Sequence, residues 1–403
     1  MKSSVNILGT LLNNSRVSLL GIACLLSCCQ SSSRIDNSMA VVSDYIDVVQ
    51  DTSLFSNPHV FMLEQAEQSL IASIDHVIEH DSTYYILDKR ANQVLFYTHN
   101  GRFMHAIKSV GNGPGEYVRL MDITLDPTSS QLVLLSYPST LLYYDLEGKY
   151  IKTIHLGNKT SFHSLVIDEK YIYLSKPTFY NDKLEETSIT VVSKQHPDEK
   201  YDILQPLPEI APYCHFRGRT LMRGLTPLFT RKFDNHIYSL KGKEILPEID
   251  INWGGYGFPE SMKEHKFSCV ELLKYCLGNK YIYEVSNVVE SEHSILFSTN
   301  LPGMFILDKL TQGIVHYGKI MNVDYGILMP NYMFVESDNN RFFFVYPAYE
   351  LVKMKENVKD DLEKRKKYPE KLLSLLEQIT EESNPVIFRY DFGKKWKNSM
   401  RRK

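Results

Sequence analysis

The sequence predicts an all-β fold: a six-bladed β-propeller of four-stranded antiparallel blades, with two helical insertions. Three observations lead there. Apolar strand pairs rich in Tyr and Phe recur six times along the 403 residues. The outer member of each pair begins near Val94, Leu141, Ser188, His236, Met304 and Val386, and the first three intervals are about 47, 47 and 48 residues, within the range of one four-stranded blade. A hydrophobic content of 43% with 12% aromatics supplies a core and excludes a disordered chain.

The N-terminus reads as a targeting segment, with a signal peptide over residues 1–27 and a lipidated N-terminus and tether over 28–40. Lys2 and Arg16 precede or border an apolar run from Val17 to Leu26, which is too short to span a bilayer. The run ends Leu25-Leu26-Ser27-Cys28, which resembles a bacterial lipobox with Cys28 as the lipid acceptor. An acylated Cys28 would anchor the protein to a membrane, since each buried CH₂ contributes about 0.8 kcal/mol. No acidic run follows Cys28, so the expected address is an outer-membrane lipoprotein facing the periplasm. Residues 1–27 hold Lys2 and Arg16 as their only charges, so the net charge moves from −3 to −5 when they are removed. That balance leaves no footprint for nucleic acid.

The propeller is assigned to residues 41–393, followed by a basic tail over 394–403. In each pair the inner strand follows a turn signal. Asp81-Ser82 precedes Tyr84 to Leu87, Asp126-Pro127 precedes Leu132 to Leu135, and Asp168-Glu169 precedes Tyr171 to Leu174. The outer strand closes on turns such as Asn100-Gly101 and Glu147-Gly148, and a fourth strand follows, as at Phe103–Ile107 and Tyr150–Ile154. The last blade lacks a fourth strand of its own. Val60 to Glu64 is expected to supply it and close the ring, which covers every sheet face without caps.

The two longer intervals hold helical patterns, about 260–278 and about 350–383. Ser261 to Glu264 reads as a capping box leading into apolar Cys269, Val270, Leu273, Cys276 and Leu277. In the second insertion Pro369 reads as a helix start before Leu372, Leu375, Leu376 and Ile379. If Cys269 and Cys276 share a helix they stand about 10 Å apart, beyond disulfide reach, and they read as buried apolar positions.

Gly111-Asn112-Gly113-Pro114-Gly115-Glu116-Tyr117 follows a strand, but no helix opens after it and no P-loop Lys-Ser/Thr pair follows. Glycines around a proline permit a sharp turn between blades. Together with Tyr144-Asp145-Leu146-Glu147-Gly148-Lys149, this segment resembles the six-bladed β-propeller lipoproteins of Bacteroidetes, NHL-like or TolB-like propellers mostly of undefined function. The resemblance covers residues from roughly 40 to 393.

No CxxC pair, zinc spacing, GxSxG, HExxH, SxxK or EF-hand loop occurs, and no cofactor is indicated. The group Arg217, Arg219, Arg223 and Arg231 either binds an anionic ligand or forms salt bridges in a solvated loop. Strand alternation sends both insertions and the Gly111–Tyr117 connector to one face, where they are expected to border a cavity near the ring axis. Its expected ligand-binding residues are Glu116, Tyr117, Arg119, His163, Arg217, Arg219 and Arg231. The reading that follows is a lipid-anchored binding or scaffolding module for a peptide, glycan or protein. The alternative is a propeller enzyme, a lactonase-like hydrolase or lyase with a metal in the central channel.

Overall fold

A computed structural model describes residues 39–157, 161–176, 179–180, 183–184, 189–204, 218–330, 334–337, 340–359 and 362–393. Two strands come first, β1 (Ala40–Gln50) and β2 (Phe55–Met62), joined by a single helical turn, α1 (Asp51–Leu54). Then β3 (His76–His80), β4 (Thr83–Asp88), β5 (Gln93–Thr98) and β6 (Phe103–Ile107) pair in sequence order as one antiparallel sheet. The strands β7 (Leu120–Asp126), β8 (Gln131–Ser136), β9 (Thr140–Tyr144) and β10 (Tyr150–His155) repeat the pattern. The third group is β11 (Ser164–Ile167) and β12 (Tyr171–Ser175), a small hairpin of β13 (Phe179–Tyr180) and β14 (Lys183–Leu184), then β15 (Ile189–Ser193) and β16 (Lys200–Ile203). The fourth is β17 (Leu221–Arg223), β18 (Pro227–Phe229), β19 (His236–Lys241) and β20 (Glu244–Asn252).

After helix α2 (Cys269–Asn279) come β21 (Val285–Glu290), β22 (Ser294–Thr299), β23 (Met304–Asp308) and β24 (Gly313–Asn322), with β25 (Ile327–Leu328) against the end of β24. The last group is β26 (Phe334–Ser337), β27 (Arg341–Tyr346), three helices, α3 (Ala348–Val358), α4 (Leu362–Arg365) and α5 (Glu370–Gln378), and β28 (Val386–Phe392).

First strands of successive groups lie side by side: β3 by β7, β7 by β11, β11 by β17, β17 by β21, β21 by β26, and β26 by β3. They surround an axis, and the fold is a β-propeller. Period-two alternation drives the packing, because each strand sends alternate side chains to opposite sheet faces. On β4, Tyr85 and Leu87 pack with Ile123, Leu132 and Leu134 of the next sheet. Tyr84 and Ile86 pack the other way, with Phe343 and Ile387 of the last group. Each large side chain so enclosed contributes about 1.5–3 kcal/mol over its exposed state.

The N-terminal segment closes the last sheet: β2 pairs antiparallel with β28, Val60 opposite Phe388. The strand starts earlier than expected, at Phe55, and bends between Ser56 and His59 where Asn57 has a φ of 50°. Unexpected was β1. It lies parallel between β20 and β24, joining the fourth and fifth groups into one ten-stranded sheet. Its partners are two outer strands more than two hundred residues away, so no local pattern announces it.

The first insertion corrects the expected helix start. Glu260–Met262 is a 3-10 turn, and α2 begins after Ser268, whose hydroxyl accepts from Glu271 N–H while the Glu271 carboxylate accepts from Ser268 N–H at 2.8 Å. The packing face is also corrected. Leu272 and Cys276 are buried, whereas Val270, Leu273 and Leu277 are 60%, 39% and 51% exposed. Cys269 is half-buried and disulfide-bonded, not an apolar core position, while Cys276 is free. In the second insertion Pro369 does precede a helix, and Leu372, Leu375, Leu376 and Ile379 are buried against β24, β25 and β28.

Candidate functional site

Five consecutive first strands bring polar groups together near their starting ends. His76 opens β3, Asp122 lies on β7, Leu165 on β11, Arg219 just before β17, and Asn287 on β21. Asp122 is fully enclosed. Its Oδ2 accepts from Leu165 N–H at 2.9 Å, and its Oδ1 accepts from an Arg219 Nη1–H. His76 Nδ1 stands 3.2 Å from the same Oδ1 and 3.1 Å from Arg219 Nη1. That nitrogen can donate to the carboxylate or accept from the guanidinium, but not both at once. Burial alone would raise the Asp122 carboxyl, yet Arg219 and His76 outweigh it and hold the group well below the usual carboxylate range.

The Arg219 backbone is fixed as well. Asn287 Oδ1 accepts from Arg219 N–H at 2.8 Å, and Asn287 N–H donates to Arg219 C=O at 2.9 Å. Gly218 lets this turn approach, since a Cβ there would collide with the Ser286 side chain.

At the finishing ends of the first strands, Arg223 Nη2 donates to the carbonyls of Leu125 at 2.6 Å and Ile167 at 2.9 Å. Ion pairs hold the sheets there: Glu79 with Arg389 at 3.0 Å, Asp126 with Lys194 at 2.7 Å, and Glu290 with Lys309 at 2.6 Å.

Beside the axis, beneath the first insertion, a cavity of about 30 Å³ is lined by Phe233, Asp234, Trp253, Phe258, Lys263 and Glu284, among others. Glu284 immediately precedes β21 and is only 4% exposed. Burial lifts its carboxyl well above the usual range, opposed only in part by Lys232. Asp234 behaves in the opposite way. Burial would raise it, but hydrogen bonds from Tyr238, Arg231 and His236 lower it.

The expected site residues do not converge. Tyr117 is in the core, where its hydroxyl donates to the carbonyls of Asn92 and Ile107, both at 3.0 Å. Glu116 folds back to accept from Gly113 N–H at 2.8 Å, and Gly115 has a φ of 75°, so the segment is a built turn between sheets. Arg119 and His163 are exposed. Arg231 pairs with Asp234, Arg219 alone reaches the axis, and Arg217 and Cys28 lie outside the described residues. The three described arginines of the group are thus engaged within the protein. The cavity beneath the first insertion has no lining residue from the second. A separate cavity of about 420 Å³ lies along α5, lined by Phe61, Met62, Tyr325 and Leu375, with no lining residue in common with the first. His76, Asp122, Asn287 and Glu284 were not anticipated. Asp122, an acid inside the apolar run Leu120 to Leu125, was the visible signal.

Among the described residues no three His, Cys, Asp or Glu side chains gather as a metal site, and no helix is long and apolar enough to cross a membrane. The fold is similar to that of a protein described as exported from Bacteroides fragilis NCTC 9343, with a TM-score of 0.69, 17% identity, and coverage of 89% of this chain and 100% of that one. Weaker likenesses are to a DUF4221 family member from Bacteroides vulgatus (TM-score 0.44, 10% identity, 84% and 98% coverage) and to BamB from Moraxella catarrhalis (0.40, 11%, 71% and 75%). No curated protein matches the chain. One family model, described as a domain of unknown function (DUF4934), matches residues 41–391. That span takes in all the strands from β2 to β27 and almost all of β1 and β28, and the chain belongs to the DUF4934 family.

Proposed function

We propose that this protein is a six-bladed propeller of the bacterial cell envelope, anchored through a lipid on Cys28, that binds or scaffolds a peptide, glycan or protein. The run of neighbouring first strands from β3 through β26 and back to β3 supports the blade count. The lipobox-like Leu25 to Cys28 supports export, as does a disulfide at Cys269, because disulfides persist in oxidising compartments.

One observation carries the binding reading. Helix α2 turns Val270, Leu273 and Leu277 outward, three apolar side chains on one stripe. Such an outward apolar stripe is characteristic of a surface that meets a partner, and it favours a peptide or protein over a glycan. The metal-dependent hydrolase or lyase alternative draws no support from the axis, where Arg219, Asp122 and His76 neutralise and orient one another.

A photo-crosslinking residue placed at Leu273 tests the reading in intact cells. A discrete adduct is expected there and not at Leu310, an equally apolar position that is 92% exposed on a β23–β24 turn. Identical adducts at both positions, or none at Leu273, would overturn it.

A further inference from the structure

We infer that the cavity beneath the first insertion is a binding site for a compact primary ammonium group, with the Glu284 carboxylate as its counter-ion. The inference stands apart from the partner surface on α2 and does not depend on it.

Glu284 makes no hydrogen bond among the described residues, yet it is nine-tenths buried and lines the cavity. A carboxyl enclosed with no hydrogen-bond partner among the described residues is a destabilising choice, and such groups are retained where something pairs with them. The charged and titratable groups around it are largely committed elsewhere. Asp234, from the turn before β19, is held by Arg231 and His236. From the insertion, Lys263 Nζ pairs with Glu260 at 2.6 Å. Lys232 is near enough to oppose the burial effect in part, and the Tyr283 phenol is pushed upward by burial, so it stays neutral.

Size and walls select the ligand. A space of about 30 Å³ suits an ammonium head, which can donate to the carboxylate as a quaternary amine cannot, and is too small for a sugar. Phe233, Trp253 and Phe258 line it with rings whose faces attract cations. Burial favours the protonated form of Glu284, and entry of a cation favours the ionised one, so binding shifts Glu284 towards release of its proton while the ammonium keeps its own.

Thermal unfolding of the purified protein tests this at matched ionic strength. Ammonium and methylammonium chloride should raise Tm by several degrees more than sodium or tetramethylammonium chloride. Glu284→Gln, an isostere of the protonated acid, should keep its fold and lose that selective shift. Lys263→Met, which removes a cation from the cavity wall that is already paired with Glu260, should not diminish it. Titration calorimetry with methylammonium in two buffers of different ionisation enthalpy should show net proton release on binding. Equal shifts from all four salts, a selective shift that survives Glu284→Gln, a shift diminished by Lys263→Met, or binding without proton release would each overturn the inference.

Discussion

Asp122 is where the axis is most exposed to damage. Its carboxylate serves three sheets at once, through Leu165 N–H, Arg219 and His76. Asp122→Ala leaves the Arg219 guanidinium nearly buried without its counter-charge, which costs about 3–5 kcal/mol, and chemical denaturation should show a loss of that order. The pH dependence has a definite sign. A carboxyl held low in the folded state stabilises fully above the unfolded value, about 3.9, and loses that contribution as pH falls below it. Glu284 runs the other way. Its carboxyl is raised on folding, so wild-type stability falls as pH climbs above about 4.3, and Glu284→Gln should be the more stable protein at alkaline pH. A Tm difference between the two that does not widen with pH would contradict this. Glu284 was not legible beforehand as part of a site, and Asp122 showed only as an acid inside an apolar run. Arg219 stood out only by its arginine neighbours, and which of those reaches the axis is decided by the turn at Gly218, a tertiary fact.

Elements were far more legible. The third strand of every group begins within a residue of its expected position, because Tyr, Phe and β-branched runs between Asn-Gly, Asp-Ser or Glu-Gly turns constrain both ends. Helix α2 shows where local code is ambiguous. Ser261 to Glu264 and Ser268 to Glu271 both spell a capping box, and packing decides between them, since only the second start lets Leu272 and Cys276 meet Phe233 and Phe267. Ser268→Ala should therefore cost about 1 kcal/mol, and Ser261→Ala almost nothing, in equilibrium unfolding. Strand β2 gives a sharper test. Removing residues through Ser38 should leave Tm unchanged, whereas removing them through Glu64 takes β1 from between β20 and β24 and strips β28 of one of its two partners, leaving a raw sheet edge. Equal melting of the two truncations would refute closure by β2.

For the whole molecule, the propeller was readable from repeat spacing, and the ten-stranded sheet was not, since spacing says nothing about a strand added from outside the repeat. The proposed anchor belongs at this scale. Cys28→Ser should leave the precursor uncleaved or release the protein from the membrane fraction, and a wild-type protein recovered wholly unlipidated would remove the idea. The disulfide at Cys269 predicts that a thiol reductant lowers Tm in the wild type but has no effect on Cys269→Ser.

The placement of β1 and β2 also sets an order in time. Both are made before the other described strands, yet their partners β24 and β28 are made much later, 272 residues away for Val41 and Gly313. Pairings so distant in sequence form slowly and late. Until the fifth group is synthesised β1 stays open, and until the last strand is made so does β2, a state prone to aggregation. A chain built this way is slow to lock into its native form, which suits the proposed export, since a chain threaded unfolded through a membrane must close its ring afterwards.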